Sequence, residues 1–425
     1  MLLFLPKLFL RPYSKKASVL KPFKSSGLGG ALMGAAFLMA TSAIGPGFLT
    51  QTAKFTEELV ASFGFVILIS VLLDIGVQLN IWRIVTVSRQ RAQDLSNKLL
   101  PGLGYFLAAL IALGGIVFNV GNIAGCGLGL QVITGMDTRT GAIISCVFAL
   151  LIFWYKDAGK TVDLVAKLLG LLMIVLTIYV AFASKPPLGE AVYKTFLPDK
   201  IDVMKIVTLV GGTVGGYISF AGAHRLLDAG ISGKPAIKDV TRSAVSGILI
   251  TSLMRFILFL AALGVVWHGV SLGNQNPAGE VFRSAAGRPG YLFFGIVLWC
   301  AAITSVIGAS YTSVSFWKTF HPAIAKNEKI IISLFIIIST LIFMISSNPV
   351  TLLILAGAFN GIILPLALAV ILIIAAKPRL LNGYKHPLWL QVAGWLIVAV
   401  MTWMSWLTIR NNIGELFDKS YQSLP

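Results

Sequence analysis

A chain of 425 residues, 57% hydrophobic and 12% charged, has no stretch polar enough for a separate water-soluble domain. Apolar runs of about 20 residues, each able to cross a hydrocarbon core of about 30 Å, recur along it. The formal charge of +18 is no nucleic-acid signature, because Lys and Arg gather in alternate loops rather than in one patch. An all-α polytopic membrane protein is expected, with the lipid bilayer as its surroundings and no nucleic-acid partner.

Residues 1–28 carry Lys7, Arg11, Lys15, Lys16, Lys21 and Lys24 and no acid. Their apolar stretch is short and interrupted by proline, and most charges follow it, unlike a signal peptide. They read as a cytoplasmic basic arm resting on anionic lipid. Eleven spans are expected beyond it, at 30–60, 63–86, 103–133, 139–155, 163–183, 206–226, 238–268, 289–318, 329–346, 350–376 and 388–409. The excess of positive charge on one set of loops places the N-terminus in the cytoplasm. The odd span count then places the C-terminus outside the cell membrane.

The first span is broken at Gly45-Pro46-Gly47 and the sixth at Gly211-Gly212-Thr213-Val214-Gly215-Gly216. Unwound backbone is tolerated at membrane depth only where it lines a cavity or is buried in protein. Paired breaks in two halves of a chain point to the substrate site of a secondary transporter. The halves, about 29–186 and 205–378, each begin with a broken helix and end in a Lys-Pro pair, Lys185-Pro186 and Lys377-Pro378. Five spans per half insert in opposite senses, so a 5+5 inverted repeat is expected within one transporter domain, 29–425, with helix 388–409 appended.

Around the breaks stand Gly45, Gly47, Thr50 and Gln51, then Gly215, Gly216 and Tyr217, with Asn360 on the tenth span as a further lining candidate. No carboxylate, thiolate, thioether or imidazole lies within a turn of either break, so no metal-ligand set is expected there. The second half-helices offer exposed N–H groups, which attract anions. Tyr217 can stack on or hydrogen-bond a small solute. Asp74 and Arg255 sit in mid-span, where ionisable residues are costly and functional by default. Asp74 reads either as a titrating coupling group or as a structural anchor, and Arg255 either neutralises Asp74 or faces an anionic solute. Asn119 and Asn122 on the third span are polar without titrating. With Asp74 and Arg255 they complete the expected ion-coupling set.

Between spans two and three, Arg89, Arg91, Asp94 and Lys98 punctuate an amphipathic stretch expected at the cytoplasmic interface. Gly125, Gly127 and Gly129 read as helix-packing positions. Cys126, Cys146 and Cys300 lie in apolar runs, and His224, His268, His321 and His386 are scattered near helix ends. Neither set has the spacing of a disulfide framework or a metal site. No nucleophile–base constellation suggests an enzyme, and no cofactor is called for beyond a coupling proton or sodium ion. A glycine-rich run near Gly27 opens no strand–helix unit and is a chance match to a nucleotide-binding loop.

The order of spans and breaks, with the phrases ASKPPLGEAVYKTFLPD and GGTVGGYISFAGAH, resembles the Nramp family of divalent-metal transporters over about 29–409. The resemblance implies the leucine-transporter-type fold of the amino acid–polyamine–organocation superfamily, with helices 1 and 6 broken. It also exposes departures. Where the family reads Asp-Pro-Gly-Asn, this chain has Gly45-Pro46-Gly47-Phe48, and where the family carries Met-Pro-His it has Gly215-Gly216-Tyr217. A later family histidine falls on Gly222, and an acidic pair of the family's proton path falls on Asn119 and Asn122. The expectation is therefore an alternating-access symporter of a small organic solute such as an amino acid, a lactam or a short carboxylate. A carrier of manganese, iron or magnesium is the first alternative, and a non-transporting membrane sensor the second.

Overall fold

A proline at the first helical position and close helix crossings shape the interior. The computed structural model describes residues 44–154, 172–346 and 348–422, with side chains described as far as Arg410. The basic arm, Thr41, Ser42 and Ala43 before the first break, and the opening of the fifth span lie outside those residues. Every regular element among the described residues is helical.

Helices α1 (Pro46–Leu59) and α2 (Phe63–Ser88) are joined by one 3-10 turn, Val60–Ser62. The short α3 (Ala92–Leu99) buries Ala92, Gln93, Leu95 and Ser96 and turns Asp94 and Lys98 outward, the amphipathic pattern expected of it. Then follow α4 (Leu103–Thr134), α5 (Thr138–Trp154), α6 (Leu172–Ala183) and α7 (Leu188–Phe196), with a bend of 107° between the last two. The broken sixth span is α8 (Val203–Thr213) followed by α9 (Tyr217–Asp228). Helices α10 (Ile237–Trp267), α11 (Pro277–Trp317), α12 (Glu328–Ile345), α13 (Pro349–Ala375) and α14 (Leu388–Gln422) complete the bundle. Gly287, at φ 63°, bends α11 near its start.

Side-chain caps and prolines set several helix starts. Asp202 accepts from Lys205 N at 3.1 Å, Asn276 from Gly279 N at 3.0 Å, and Asn348 from Val350 N at 3.0 Å. Prolines stand just after Asn276 and Asn348, where a missing N–H costs nothing.

Among the described residues eight stretches are long and apolar enough to cross a membrane, short of the eleven expected spans. The difference has three sources. Pro46–Ser88 runs as one stretch across its 3-10 turn, Thr138–Trp154 has only 17 residues, and the fifth span begins outside the described residues. The outer faces of α5, α12 and α14 expose Ile143, Leu151, Ile338, Leu341, Leu396 and Trp403, an apolar surface that lipid would cover.

Inside, α8 is buried from Ile206 through Thr213, and α4 and α13 flank the breaks. Gly125 on α4 packs as expected. A Cβ there would lie 2.3 Å from the ring of Pro46, so a larger residue would push α1 off α4.

Candidate substrate site at the two helix breaks

At the first break Gly45 is extended (φ −94°, ψ −173°), a backbone that any residue adopts, and Pro46 opens α1. The first helical bond runs from Leu49 N to Gly45 O at 3.3 Å. The N–H groups of Gly47 and Phe48 are thus left without helical partners, at the positive end of the helix dipole.

The second break is tighter. Val214 N still bonds Val210 O at 2.9 Å, ending α8, and Ile218 N bonds Gly215 O at 3.1 Å, starting α9. Ser219 Oγ donates back to Val214 O at 2.7 Å, and Trp82 Nε1 donates to Ser219 O at 2.9 Å, pinning α9 to α2. Gly216 has φ 47° and ψ −121°, open in practice only to glycine, and a Cβ there would stand 1.9 Å from Asn360 Oδ1. Gly215 is constrained from within, because a Cβ on it would lie 2.4 Å from Gly211 O.

Arg255, on α10, connects the breaks. It is buried, its Nη1 donates to Thr213 Oγ1 at 2.7 Å, and its guanidinium carbon lies 4.2 Å from the Phe48 ring centroid. Thr213 is the last residue of α8 and Phe48 belongs to the first turn of α1. The Nε and Nη2 atoms of Arg255 have no hydrogen-bond partner among the described residues. Asp74, buried in the middle of α2, likewise has both carboxylate oxygens unpartnered there. Asp74 and Arg255 form no direct ion pair.

A second polar group lies toward α4. Tyr217 is buried with its ring edge-on to Phe118 at 5.3 Å, and its hydroxyl approaches Asn122. The Tyr217 hydroxyl and both amide atoms of Asn122 lack a direct partner among the described residues. Asn119 Nδ2 donates to Ser310 Oγ on α11 at 3.3 Å, leaving its own Oδ1 unpartnered. Asn360 is anchored by Nδ2 to Gly114 O at 3.0 Å and Ala356 O at 2.9 Å, with Oδ1 aimed at Gly216.

The residues singled out in the sequence thus divide. Arg255 stands between the breaks and Asp74 is buried on α2, whereas Gly216, Tyr217, Asn122, Asn119 and Asn360 form an uncharged group. Gln51 is engaged as a strut, its Nε2 donating to Leu353 O at 3.1 Å between α1 and α13. Gly47 faces the same Leu353 carbonyl, where a Cβ would find ordinary contact at 3.5 Å. Thr50 is buried on α1. Phe48 and Thr213 stood beside the breaks in the sequence, but their link through Arg255 gave no signal there, because it joins residues far apart in the chain.

No group of three or more His, Cys, Asp or Glu side chains that could hold a metal ion occurs among the described residues.

The family model for natural resistance-associated macrophage protein-like proteins (Nramp) matches residues 36–410. The uncharacterized membrane protein YcsG of Bacillus subtilis is 58% identical over 395 residues, covering 93% of this chain and 98% of that one. The divalent metal cation transporter MntH of Vibrio campbellii is 23% identical over 324 residues, covering 72% and 73%. Among solved structures, the H236A mutant of the Eremococcus coleocola manganese transporter superposes with a TM-score of 0.70 at 16% identity, covering 94% and 90%. The chain belongs to the Nramp family, as a multi-pass membrane transporter of the leucine-transporter-type fold.

Proposed function

We propose that this transporter is an ion-coupled secondary carrier of a small organic solute, taken up by alternating access of the broken helices. One observation carries the reading: Arg255 touches both breaks, through Thr213 and Phe48. A fixed guanidinium in a low-dielectric interior attracts a carboxylate and opposes a divalent cation. The free N–H groups at the start of α1 add to the same preference. The carrier is placed in the cell membrane with its N-terminus cytoplasmic, by the distribution of positive charge. A proton or a sodium ion supplies the driving gradient.

A second reading, transport of a divalent metal, is the one the comparisons favour, because the family and its distant relatives point to metal. It would require backbone carbonyls, hydroxyls and the single carboxylate of Asp74 to replace an anionic ligand set. Nothing in the family supports the sensor reading.

Gly45→Asp separates the two carriers, since the extended backbone at Gly45 accepts any side chain. The organic reading expects the added carboxylate to occupy Arg255 and to abolish stabilisation of the purified protein by organic solutes. The metal reading expects the same substitution to strengthen stabilisation by manganese.

A further inference from the structure

The unpartnered atoms of Arg255 are not arbitrary. Nε and Nη2 lie along one edge of the guanidinium, the edge that grips both oxygens of a carboxylate in two parallel hydrogen bonds. Phe48 below and Thr213 at Nη1 fix the plane of the group, so that this edge is the free one. The N–H groups of Gly47 and Phe48, which have no helical partner, belong to the same turn that supplies the stacking ring.

The charge balance adds a second constraint. With no solute bound, an ionised Asp74 would balance the guanidinium of Arg255, the two being buried together with no other buried carboxyl among the described residues. An arriving carboxylate would leave one uncompensated negative charge in a buried region, which is strongly unfavourable. Among the described residues Arg255 and Asp74 are the two Asp, Glu, Lys or Arg side chains that are buried. The other charged groups on α2 and the helices packed closely against it, Arg83 on α2, Glu190 and Lys194 on α7, Lys205 on α8, His224, Arg225 and Asp228 on α9, Lys238, Asp239 and Arg242 on α10 and Arg410 on α14, lie toward the ends of the spans. Asp74 is thus the group placed to restore neutrality, by taking a proton.

We propose that the solute is a monocarboxylate seated on Nε and Nη2 of Arg255, and that Asp74 takes up one proton as it binds. Carboxylate and proton then cross together and no net charge moves. This refinement rests on the organic-solute reading above.

The test uses the purified full chain in detergent and a panel of two- to six-carbon monocarboxylates and α-amino acids, each beside its primary amide. At least one carboxylate is expected to raise the melting temperature where its amide does not. If that compound is a simple monocarboxylate, without an ammonium group of its own, it should bind with uptake of about one proton per site, read with a pH indicator in weak buffer. Asp74→Asn should bind it without proton uptake, and Arg255→Lys should bind it about tenfold to a hundredfold more weakly. The proton count on the unaltered protein stands even if a variant fails to fold. Equal binding of acid and amide, binding of a simple monocarboxylate without proton uptake, or a panel in which no carboxylate stabilises overturns the proposal. Stabilisation by a neutral organic solute removes this refinement and leaves the organic carrier standing, whereas stabilisation by manganese or magnesium alone removes both.

Discussion

The guanidinium of Arg255 stacks on the ring of Phe48 at 4.2 Å from its centroid. A side chain of α10 is thereby fixed against the helix that starts at the first break. Its hydrogen bond to Thr213 fixes it against the helix that ends at the second. Any relative movement of the two broken helices must break or carry along one of these contacts, so Arg255 can report at one break what occupies the other.

The pairing of Arg255 with Asp74 sets a stability expectation. Arg255→Gln leaves a buried carboxylate without its compensating charge, at a cost of about 3 kcal/mol. In an Asp74→Asn background that charge is gone, and Arg255→Gln should cost at least about 1 kcal/mol less. Thermal denaturation of the four members of the cycle checks this. Additive costs would mean that the two side chains are independent.

The glycines of the breaks should differ sharply in tolerance. Gly216→Ala meets both a positive φ and the Asn360 amide 1.9 Å away, and should cost upward of about 3 kcal/mol. Gly47→Ala meets only ordinary contacts and should lie within about 1 kcal/mol of the unaltered protein. Melting temperatures of the two variants are the measurement. Equal sensitivity would contradict the packing described.

At the far end of α1, Glu57 Oε1 accepts from Leu272 N at 2.8 Å and from Ser271 Oγ at 3.1 Å, while Lys54 Nζ donates to Asn274 Oδ1 at 2.9 Å. These bonds hold α1 against the segment between α10 and α11. Glu57→Ala should loosen this contact and raise the labelling rate of a cysteine placed at Ser271 at least severalfold. An unchanged rate would show that the contact does not hold the segment.

His386, between α13 and α14, supplies a pH expectation. Burial, reinforced by the positive charge of Arg83, lowers its pKa to about 4, while its Nε2 pairs with Asn80 Oδ1 at 2.9 Å. The folded value lies below the unfolded value of about 6.5, so the neutral ring is the stabilising form. Stability should be fully present above about pH 6.5 and should fall by up to about 3 kcal/mol as the pH drops toward 4. His386→Gln should flatten that part of the pH profile, read by thermal melting. An undiminished slope in the variant would assign the loss to other groups.

Much of the fold was legible in the sequence because hydropathy and helix-breaking residues act locally. The helix start at Pro46, the break ending in Gly216 and the amphipathic α3 lie where composition placed them. The boundary between the first two expected spans coincides with the 3-10 turn Val60–Ser62, while the expected count of eleven is not reached among the described residues. The site was read in part. Asp74 and Arg255 stood out because charge at membrane depth is rare, and the structure buries both. That Gln51 is a strut and that Gly215 is shaped by the Gly211 carbonyl depend on contacts between distant residues. No local pattern encodes such contacts.

The central claim is that the cation bridging the two breaks makes this an organic-anion site. The most direct measurement is the melting temperature of the purified protein, and of Arg255→Gln, with small carboxylates on one side and manganese and magnesium on the other. A carboxylate at 100 times its dissociation constant should stabilise the unaltered protein by about 2.7 kcal/mol and leave Arg255→Gln unmoved, while neither metal shifts the unaltered protein. Stabilisation by a divalent ion alone, retained in Arg255→Gln, would contradict the account and return the chain to the metal chemistry of its family.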